Sequence, residues 1–226
     1  MSEHELSLQE VIGYQFKDIT LLRQALTHSS FANESKDKSV HDNERLEFLG
    51  DAVLEIVTSE FLYNKYTDKP EGELSKLRAS MVCEQTLDLC AKAINLSDYI
   101  YLGKGEEATG GRRRPSIVSD AFESVIGALY LDGGMEVAEK FIYSYVLDDV
   151  ESKQLYVDSK TRLQEYVQGK YHSMPKYEHA GEEGPEHNKT FYVDLYVNDV
   201  KISSGEGHSK KSAEQQAAYN ALLMLK

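Results

Sequence analysis

Apolar residues recur with a helical period through the first two thirds of the chain. From Leu6 to Val150 they return every three or four positions, and no stretch alternates as a half-buried strand does. Pro115 suits the first turn of a helix, and Gly133-Gly134 suits a break between helices. The pattern predicts an exposed loop at Gly103–Arg114 and helices at about Leu6–Ile12, Ile19–Thr27, Asn43–Tyr66, Glu73–Ile94, Pro115–Asp132 and Met135–Asp148.

The period changes after a polar segment that begins at Glu151. Between Thr190 and Val197, apolar residues alternate with polar or tyrosine side chains, which is the period of a half-buried strand. The other elements predicted here are a helix at Lys160–Gly169, strands at Pro175–Ala180 and Val200–Gly205, a turn at Asn198-Asp199 and a helix from Ser209.

These patterns predict two domains of different class. The fold class is an all-α domain followed by a small α+β domain with the element order αβββα. The predicted boundaries are residues 1–150 for the first domain, 151–157 for a linker and 158–226 for the second domain.

The net charge is −13, and the acidity is concentrated in the first domain. Residues 1–156 contain 28 acidic and 16 basic residues, whereas residues 157–226 contain 10 and 9. Net charge governs solubility and steering rather than a particular site, so it does not exclude a nucleic-acid partner. A carboxylate-rich site for divalent metal would add to such an imbalance.

Cysteine use and the N-terminus exclude several classes of protein. Cys83 and Cys90 do not form a C-x-x-C pair, so they offer no zinc site and we expect reduced thiols. The first residues lack the basic and apolar blocks of a signal peptide, and no apolar run approaches membrane-spanning length. We therefore expect a cytoplasmic protein with no membrane partner. No organic cofactor is expected either.

One predicted helix carries a narrow acidic stripe. Four carboxylates fall within an arc of roughly 80° at about 100° per residue, and the rest of the circumference is nearly all apolar. They are Glu44, Glu47, Asp51 and Glu55. Carboxylates so close together repel one another, and burial makes each charge costlier. Hard oxygen ligands without His or Cys favour magnesium or manganese as the compensating ion.

A second acidic pair, Asp120 and Glu123, faces one way on a later helix among apolar neighbours. If the two helices pack together, the carboxylates converge and can hold magnesium for phosphodiester hydrolysis. The structural alternative is ion pairing of the acidic residues with Arg45, Lys76 or Arg78.

Three segments resemble the bacterial ribonuclease III family and occur in the family's order. They are residues 43–51 (NERLEFLGD), 71–75 (EGELS) and 116–123 (SIVSDAFE). The resemblance implies the all-α endonuclease fold of that family. It also implies a magnesium site, which manganese can occupy instead, with ligands at Glu47, Asp51, Asp120 and Glu123.

The resemblance also implies roles for individual residues. Asp51 and Glu123 look like the catalytic pair most directly tied to the reaction, and Glu44 resembles a supporting catalytic position. Glu71 resembles a position that contacts RNA or shapes the site. In the family the aromatic residue at the position of Phe48 inserts into a partner subunit, which implies a homodimer; an ordinary core Phe is the alternative.

The second domain resembles a double-stranded-RNA-binding domain over essentially its whole length. A-form RNA is recognised by shape, through 2′-hydroxyls and phosphates, which requires polar side chains on one helix and cations on another. Cations at a helix N-terminus favour phosphate. The candidate RNA-binding residues are Gln164 and Gln168 on the first helix, His187 in the loop 184–187, and Lys210 and Lys211 on the last helix.

Arg112, Arg113 and Arg114 form the sharpest basic run in the acidic domain. The hypothesis is that they bind phosphate near the scissile bond, and a solvated loop is the alternative.

The sequence as a whole predicts a homodimeric endoribonuclease that cuts double-stranded RNA with magnesium. By resemblance, it leaves 5′-phosphate ends and short 3′ overhangs and processes ribosomal RNA precursors and messenger RNA. The rival functions are duplex binding without cleavage and a helical interaction scaffold.

Overall fold

The chain divides into two compact units, Met1–Val150 and Glu151–Lys226, and the computed structural model describes residues 3–185 and 189–225. The first unit is helical, as predicted. Its elements are α1 Glu3–Ile12, α2 Ile19–Ala25, α3 Ser29–Glu34, α4 Glu44–Lys65, α5 Glu71–Met81, α6 Glu84–Ala93, α7 Lys104–Ala108, α8 Pro115–Gly133 and α9 Met135–Tyr145, with 3₁₀ turns at Leu96–Tyr99 and Gly111–Arg113.

The first unit is built around α4 and α8, which pack directly on each other. Glycine makes this approach possible, because a Cβ on Gly50 would lie 1.8 Å from the carbonyl oxygen of Glu123. A Cβ on Gly127 would lie 2.3 Å from the carbonyl oxygen of Leu46. Any larger residue at either position would push the helices apart, so the two glycines set how closely the backbones meet.

The helix predicted at Glu73–Ile94 is two helices, α5 and α6, which are separated at Val82 and Cys83. The hydroxyl of Thr86 donates to the carbonyl oxygen of Ser80 at 2.6 Å, and the thiol of Cys83 lies 3.4 Å from the same oxygen. These side chains occupy an acceptor that a continuous helix would offer to a backbone N–H. The apolar period continues across the break, so the sequence pattern does not indicate it.

The predicted loop Gly103–Arg114 is wrong in part, because it contains α7 and a 3₁₀ turn. The carboxylate of Glu34 accepts the backbone N–H of Lys104 at 2.9 Å, and the hydroxyl oxygen of Ser30 accepts the N–H of Gly103 at the same distance. These hydrogen bonds join residues far apart in the chain. Local spacing therefore gives no sign of them.

The second unit contains an antiparallel three-stranded sheet in the order β1-β2-β3. Its elements are α10 Val150–Val157, α11 Ser159–Tyr171, β1 Lys176–Glu183, β2 Thr190–Val197, β3 Val200–Gly207 and α12 Lys210–Met224. Val193, Leu195 and Val197 are buried, as their alternation predicts. Leu195 shares an apolar core with residues of both α11 and α12. The predicted order αβββα is confirmed.

The hairpin between β2 and β3 has the two-residue turn that the sequence predicts. Asn198 and Asp199 have φ angles of 50° and 63°. Positive φ at both central residues is the geometry that matches the twist of paired strands. No helix within the described ranges is long and apolar enough to cross a membrane.

The linker predicted at 151–157 is helical, as part of α10. The side-chain amide of Gln215, on α12, donates to the carbonyl oxygens of Tyr156 and Val157 at 2.5 and 2.7 Å. The rings of Tyr156 and Tyr219 also meet edge to face, with centroids 5.4 Å apart. The end of α10 thus receives its hydrogen-bond donors from α12, a contact that the polar composition of the segment does not reveal.

Candidate active site

Acidic side chains from α4 and α8 meet at one place. Carboxylate oxygens of Glu47, Asp120 and Glu123 lie within 4.8 Å of one another, and all three residues are half-buried. Asp120 and Glu123 are three residues apart, so they lie on the same face of α8. The close contact between α4 and α8 brings that face to Glu47.

Glu123 shows the electrostatic conflict of this cluster most clearly. Burial, followed by the charges of Asp51, Asp120 and Glu47, raises the pKa of Glu123 to about 8. At neutral pH the isolated protein therefore favours a proton on this side chain. A divalent cation among the carboxylates would reverse that preference, since it favours the ionised form.

The other two clustered carboxyl groups are shifted in the same direction. Burial, followed by the charge of Asp120, raises the pKa of Glu47. Burial, followed by the charge of Glu84, raises the pKa of Asp120, whereas His28 and Ser119 act to lower it. Glu84, on α6, and His28, before α3, are neighbours that the sequence does not place at the site. Neither shares a helix with the acidic motifs, so no spacing could have indicated them.

Asp51 and Glu44 are exposed on α4 beside the cluster. The charge of Asp51 raises the pKa of both Glu47 and Glu123, and the charge of Glu44 raises that of Glu47. Both predicted residues therefore belong to the same acidic surface, although neither is among the three closest carboxylates.

The structural alternative, ion pairing, holds for one member of the acidic stripe. Arg78 contacts the carboxylate of Glu55 at 2.9 Å. Glu47, Asp120 and Glu123, by contrast, have no ion pair with Lys or Arg in the part of the chain that the structure describes. A cluster of oxygen donors without a paired Lys or Arg fits a hard divalent ion such as magnesium or manganese.

Arg112 has a structural role. One guanidinium nitrogen donates to the carbonyl oxygens of Ser97 and Ile100 at 2.6 and 2.9 Å. The other terminal guanidinium nitrogen forms an ion pair with the carboxylate of Glu107. Its donors are thus occupied within the protein, which argues against the predicted phosphate contact for this residue.

The two following arginines are more accessible. Arg114 forms an ion pair with Glu106 at 2.8 Å. Arg113 is exposed, and no side chain among residues 3–185 and 189–225 forms an ion pair or hydrogen bond with it. Of the basic run, Arg113 is the residue most available to a phosphate.

The predicted RNA-binding glutamines lie on α11 in the second unit. Gln164 and Gln168 are both exposed and are one helical turn apart. Their amides can therefore both reach one groove of a duplex. His187, predicted to enter a second minor groove, lies outside the described residues.

The predicted lysine pair opens α12. Ser209 caps this helix by accepting the backbone N–H of Ser212, and Ser212 accepts the N–H of Ser209 in return. Lys210 and Lys211 are exposed in the first turn. Cations are unfavourable beside the positive end of a helix dipole, so an anion at this position would relieve the conflict.

Comparison with known proteins agrees with this geometry. A family model described as Ribonuclease-III-like matches residues 18–150, and a model described as Double-stranded RNA binding motif matches residues 159–225. The chain belongs to the ribonuclease III family. "Ribonuclease 3" of Listeria monocytogenes serotype 4a is 48% identical over 220 residues, which is 96% of each chain. "Ribonuclease 3" of Caldanaerobacter subterraneus is 49% identical over 221 residues, again 96% of each.

Solved structures of ribonuclease III resemble the helical unit. A crystal structure of the nuclease domain of ribonuclease III from Campylobacter jejuni has a TM-score of 0.60 and 43% identity, covering 66% of this chain and 97% of that one. Another structure of that domain has a TM-score of 0.58 and 45% identity, and it covers 63% of this chain and 95% of that one. Its description reports structural flexibility in a region of that protein involved in dimer formation. The predicted family, fold class and activity, a double-stranded-RNA endoribonuclease, are confirmed.

Phe48 is not a core residue in the described structure. It is 80% exposed, so the core alternative is wrong. Ile56 and Tyr63, which are 58% and 73% exposed, continue an apolar stripe along α4.

Glu71, at the start of α5, lines the same concavity as Ile56 and Tyr63 and accepts a hydrogen bond from Ser75 at 2.7 Å. Glu71 therefore lies beside the exposed apolar stripe rather than among the three clustered carboxylates.

Proposed function

We propose that the protein hydrolyses phosphodiester bonds in double-stranded RNA at divalent metal held by a carboxylate site that includes Glu47, Asp120 and Glu123. One observation carries the proposal: these three half-buried carboxylates place oxygens within 4.8 Å of one another. Such a cluster raises the free energy of the folded protein unless a cation binds to it or a carboxyl group takes up a proton. The double-stranded-RNA-binding motif at residues 159–225 supports a duplex as the substrate.

The donor chemistry favours magnesium, with manganese able to replace it. When bound, such ions stabilise the charge that develops on the phosphate and activate the attacking water. Glu47, Asp51, Asp120 and Glu123 are the proposed ligands. Glu123, whose pKa is about 8 without metal, would have to be deprotonated to hold the cation. Asp51 is proposed to complete the site from its exposed side, and Glu44 to support it there.

Exposed side chains in each unit are proposed to bind RNA. Gln164 and Gln168 are suited to a minor groove, and Lys210 and Lys211 are suited to the phosphates beside it. His187 is proposed to enter a second minor groove. The nuclease unit contributes Arg113 as a phosphate contact and Glu71 as a residue that shapes the substrate surface.

We propose a homodimer with one site per subunit, so that both RNA strands are cut. The exposed stripe of Phe48, Ile56 and Tyr63 supports this assembly, because exposed apolar side chains in a row mark interfaces. Phe48→Ser should give a monomer in sedimentation velocity. Leu223→Ser, which removes an exposed apolar side chain from α12, is the control and should leave the assembly unchanged.

A cleavage assay on a labelled duplex tests the proposed activity. We expect cutting with magnesium, none after excess chelator is added, and none of a single strand of the same sequence. Asp120→Asn should abolish cutting, whereas Glu55→Gln, in which the lost carboxylate is the one paired with Arg78, should retain it. Duplex binding without cleavage under every metal condition would favour the rival function of a non-cleaving binding protein.

The proposed cellular role follows from the family. The catalytic domain is residues 1–150 and the RNA-binding domain is residues 158–226, preceded by α10. The proposed substrates are ribosomal RNA precursors and structured messenger RNAs in the cytoplasm, and the products carry 5′-phosphate ends and short 3′ overhangs. The chemistry requires no organic cofactor.

A further inference from the structure

A buried polar contact joins the start of α4 to α8 beside the carboxylate cluster. Ser124 is fully buried, and its hydroxyl donates to the backbone carbonyl oxygen of Asn43 at 3.2 Å. Asn43 is itself only 3% exposed, and its side-chain amide donates to the carbonyl oxygen of Ala25 at 3.3 Å. Asn43 thus connects the end of α2, the start of α4 and the middle of α8.

The acceptor of this contact is also tied to a proposed metal ligand. The carbonyl oxygen of Asn43 accepts the backbone N–H of Glu47 at 2.9 Å. Ser124 directly follows Glu123 in the chain. A single buried oxygen therefore links the backbone of Glu47 to the residue next to Glu123.

The hydrogen bond between Ser124 and Asn43 restrains the relative orientation of the two helices more strictly than the surrounding packing does. Gly50 and Gly127 let the two helices approach, but van der Waals contact alone permits small slides and rotations. A hydrogen bond weakens steeply when its distance or angle changes, so it resists both movements. Ser124 is fully buried on α8, where a hydroxyl is unfavourable without a partner.

We propose that Ser124 and Asn43 are positioning residues that fix α4 against α8 and thereby set the separation between the carboxylates of Glu47 and Glu123. Neither side chain is a metal ligand. The inference rests on the proposed function, since it concerns the affinity of the same carboxylates for a divalent cation. Groups that orient ligands without touching the metal contribute substantially to metal affinity in other sites.

Manganese binding to the uncleaved full chain tests the inference directly. Ser124→Ala removes the donor and leaves the Asn43 oxygen with its backbone partners, so the protein should fold. We expect Mn²⁺ affinity, measured by calorimetry without RNA, to fall roughly 10-fold. The Mn²⁺ concentration for half-maximal cleavage should rise by a similar factor, and the affinity for duplex RNA should stay unchanged.

Ser80→Ala is the matched control. Ser80 is also buried, and its hydroxyl donates to the carbonyl oxygen of Leu77 at 2.7 Å within α5, which carries none of the three clustered carboxylates. Both variants should melt at a lower temperature, but only Ser124→Ala should bind Mn²⁺ more weakly. Equal Mn²⁺ affinity in the two variants would overturn the positioning role.

Two further proteins keep the outcomes separate. If Ser124→Ala does not fold, Ser124→Cys carries the test, because a thiol has similar size and is a weaker donor. Wild-type Mn²⁺ affinity in Ser124→Cys would then overturn the inference. If the wild-type protein itself binds no Mn²⁺, and Glu123→Gln leaves the cleavage rate unchanged, the proposed function fails. If the wild type binds Mn²⁺ and the Ser124 variants bind it equally well, only this inference fails.

Discussion

The two units present their charges in opposite ways. In the helical unit, Glu47, Asp120 and Glu123 are half-buried and of one sign, and burial together with the charges of neighbouring acidic residues raises all three pKa values. In the second unit, most charged residues are exposed or partly exposed, and several form ion pairs. Lys201 contacts Asp194 at 2.7 Å, for example.

This difference determines how function can be recognised in each unit. A catalytic cluster that is unfavourable without its cation can be detected from burial and electrostatics in a single chain. An RNA-binding surface that is fully solvated before RNA arrives carries no such conflict, apart from the lysines at the start of α12. Exposed groups such as Gln164 are therefore identified by their position in the fold rather than by their energetics.

Neutralising Glu123 should produce the largest effect. Glu123→Gln is expected to lower the cleavage rate about 10³-fold, the size of effect seen when a charge-stabilising group is removed from an active site. It should also raise the melting temperature of the metal-free protein at pH 9, because the variant has one fewer half-buried negative charge. Single-turnover cleavage and thermal melting measure the two effects. A lower melting temperature would contradict the proposed electrostatic conflict.

The pH dependence of the metal-free protein should reveal the same conflict. The ordinary pKa of a glutamate carboxyl group is 4.5, and the pKa of Glu123 in the folded protein is about 8. Its contribution to stability is therefore fully present below pH 4.5, where the group is protonated in both states, and is lost as pH rises through 8. We expect the melting temperature to fall between pH 5 and pH 9 without metal.

Magnesium should oppose that loss of stability. Because the cation displaces a proton from Glu123, magnesium affinity should rise with pH by up to about 10-fold per unit below pH 8. Thermal melting across a pH series, with and without magnesium, measures both trends. In Glu123→Gln the pH dependence of each should be flatter, and an unchanged profile in that variant would assign the titration to another group.

The lysines that open α12 should affect binding without affecting stability. The double variant Lys210→Gln, Lys211→Gln should reduce the slope of log affinity against log salt concentration by about 2, since each phosphate contact contributes about 1. Lys201→Gln is the control, because Lys201 is paired with Asp194. An equal change of slope in the control would mean that general charge, rather than the start of α12, binds the duplex.

The arginine run should give the smallest and most selective effects. Arg113→Gln should weaken duplex binding a few-fold and leave the melting temperature unchanged. Arg112→Gln should instead destabilise the fold by about 1–3 kcal/mol, because the carbonyl oxygens of Ser97 and Ile100 lose their donor. Filter binding and chemical denaturation separate the two variants. Equal loss of RNA affinity in the two variants would mean that Arg112 also contacts the duplex.

Local periodicity explains which features could be predicted from the sequence. The acidic stripe of α4 and the alternation in β2 depend on spacing within one element, and both are present in the structure. The break between α5 and α6 depends on the hydroxyl of Thr86, which competes with the backbone for the carbonyl oxygen of Ser80. An apolar period cannot report that competition.

Contacts between distant segments account for what the sequence could not predict at the candidate site. The meeting of α4 and α8 could be anticipated through resemblance to a family but not from spacing alone. Glu84 and His28 affect Asp120 from other elements. The partners of Arg112 are carbonyl oxygens, which every residue possesses, so no residue type marks them in the sequence.

The attachment of α10 to α12 bears on how the protein can be divided for biochemical work. A fragment cut at Asp158 would leave the amide of Gln215 without the carbonyl oxygens of Tyr156 and Val157, and the ring of Tyr219 without its aromatic neighbour. A fragment that starts ahead of Val150 keeps these contacts. RNA affinities measured on the shorter piece would therefore describe a trimmed domain rather than the one that the full chain carries.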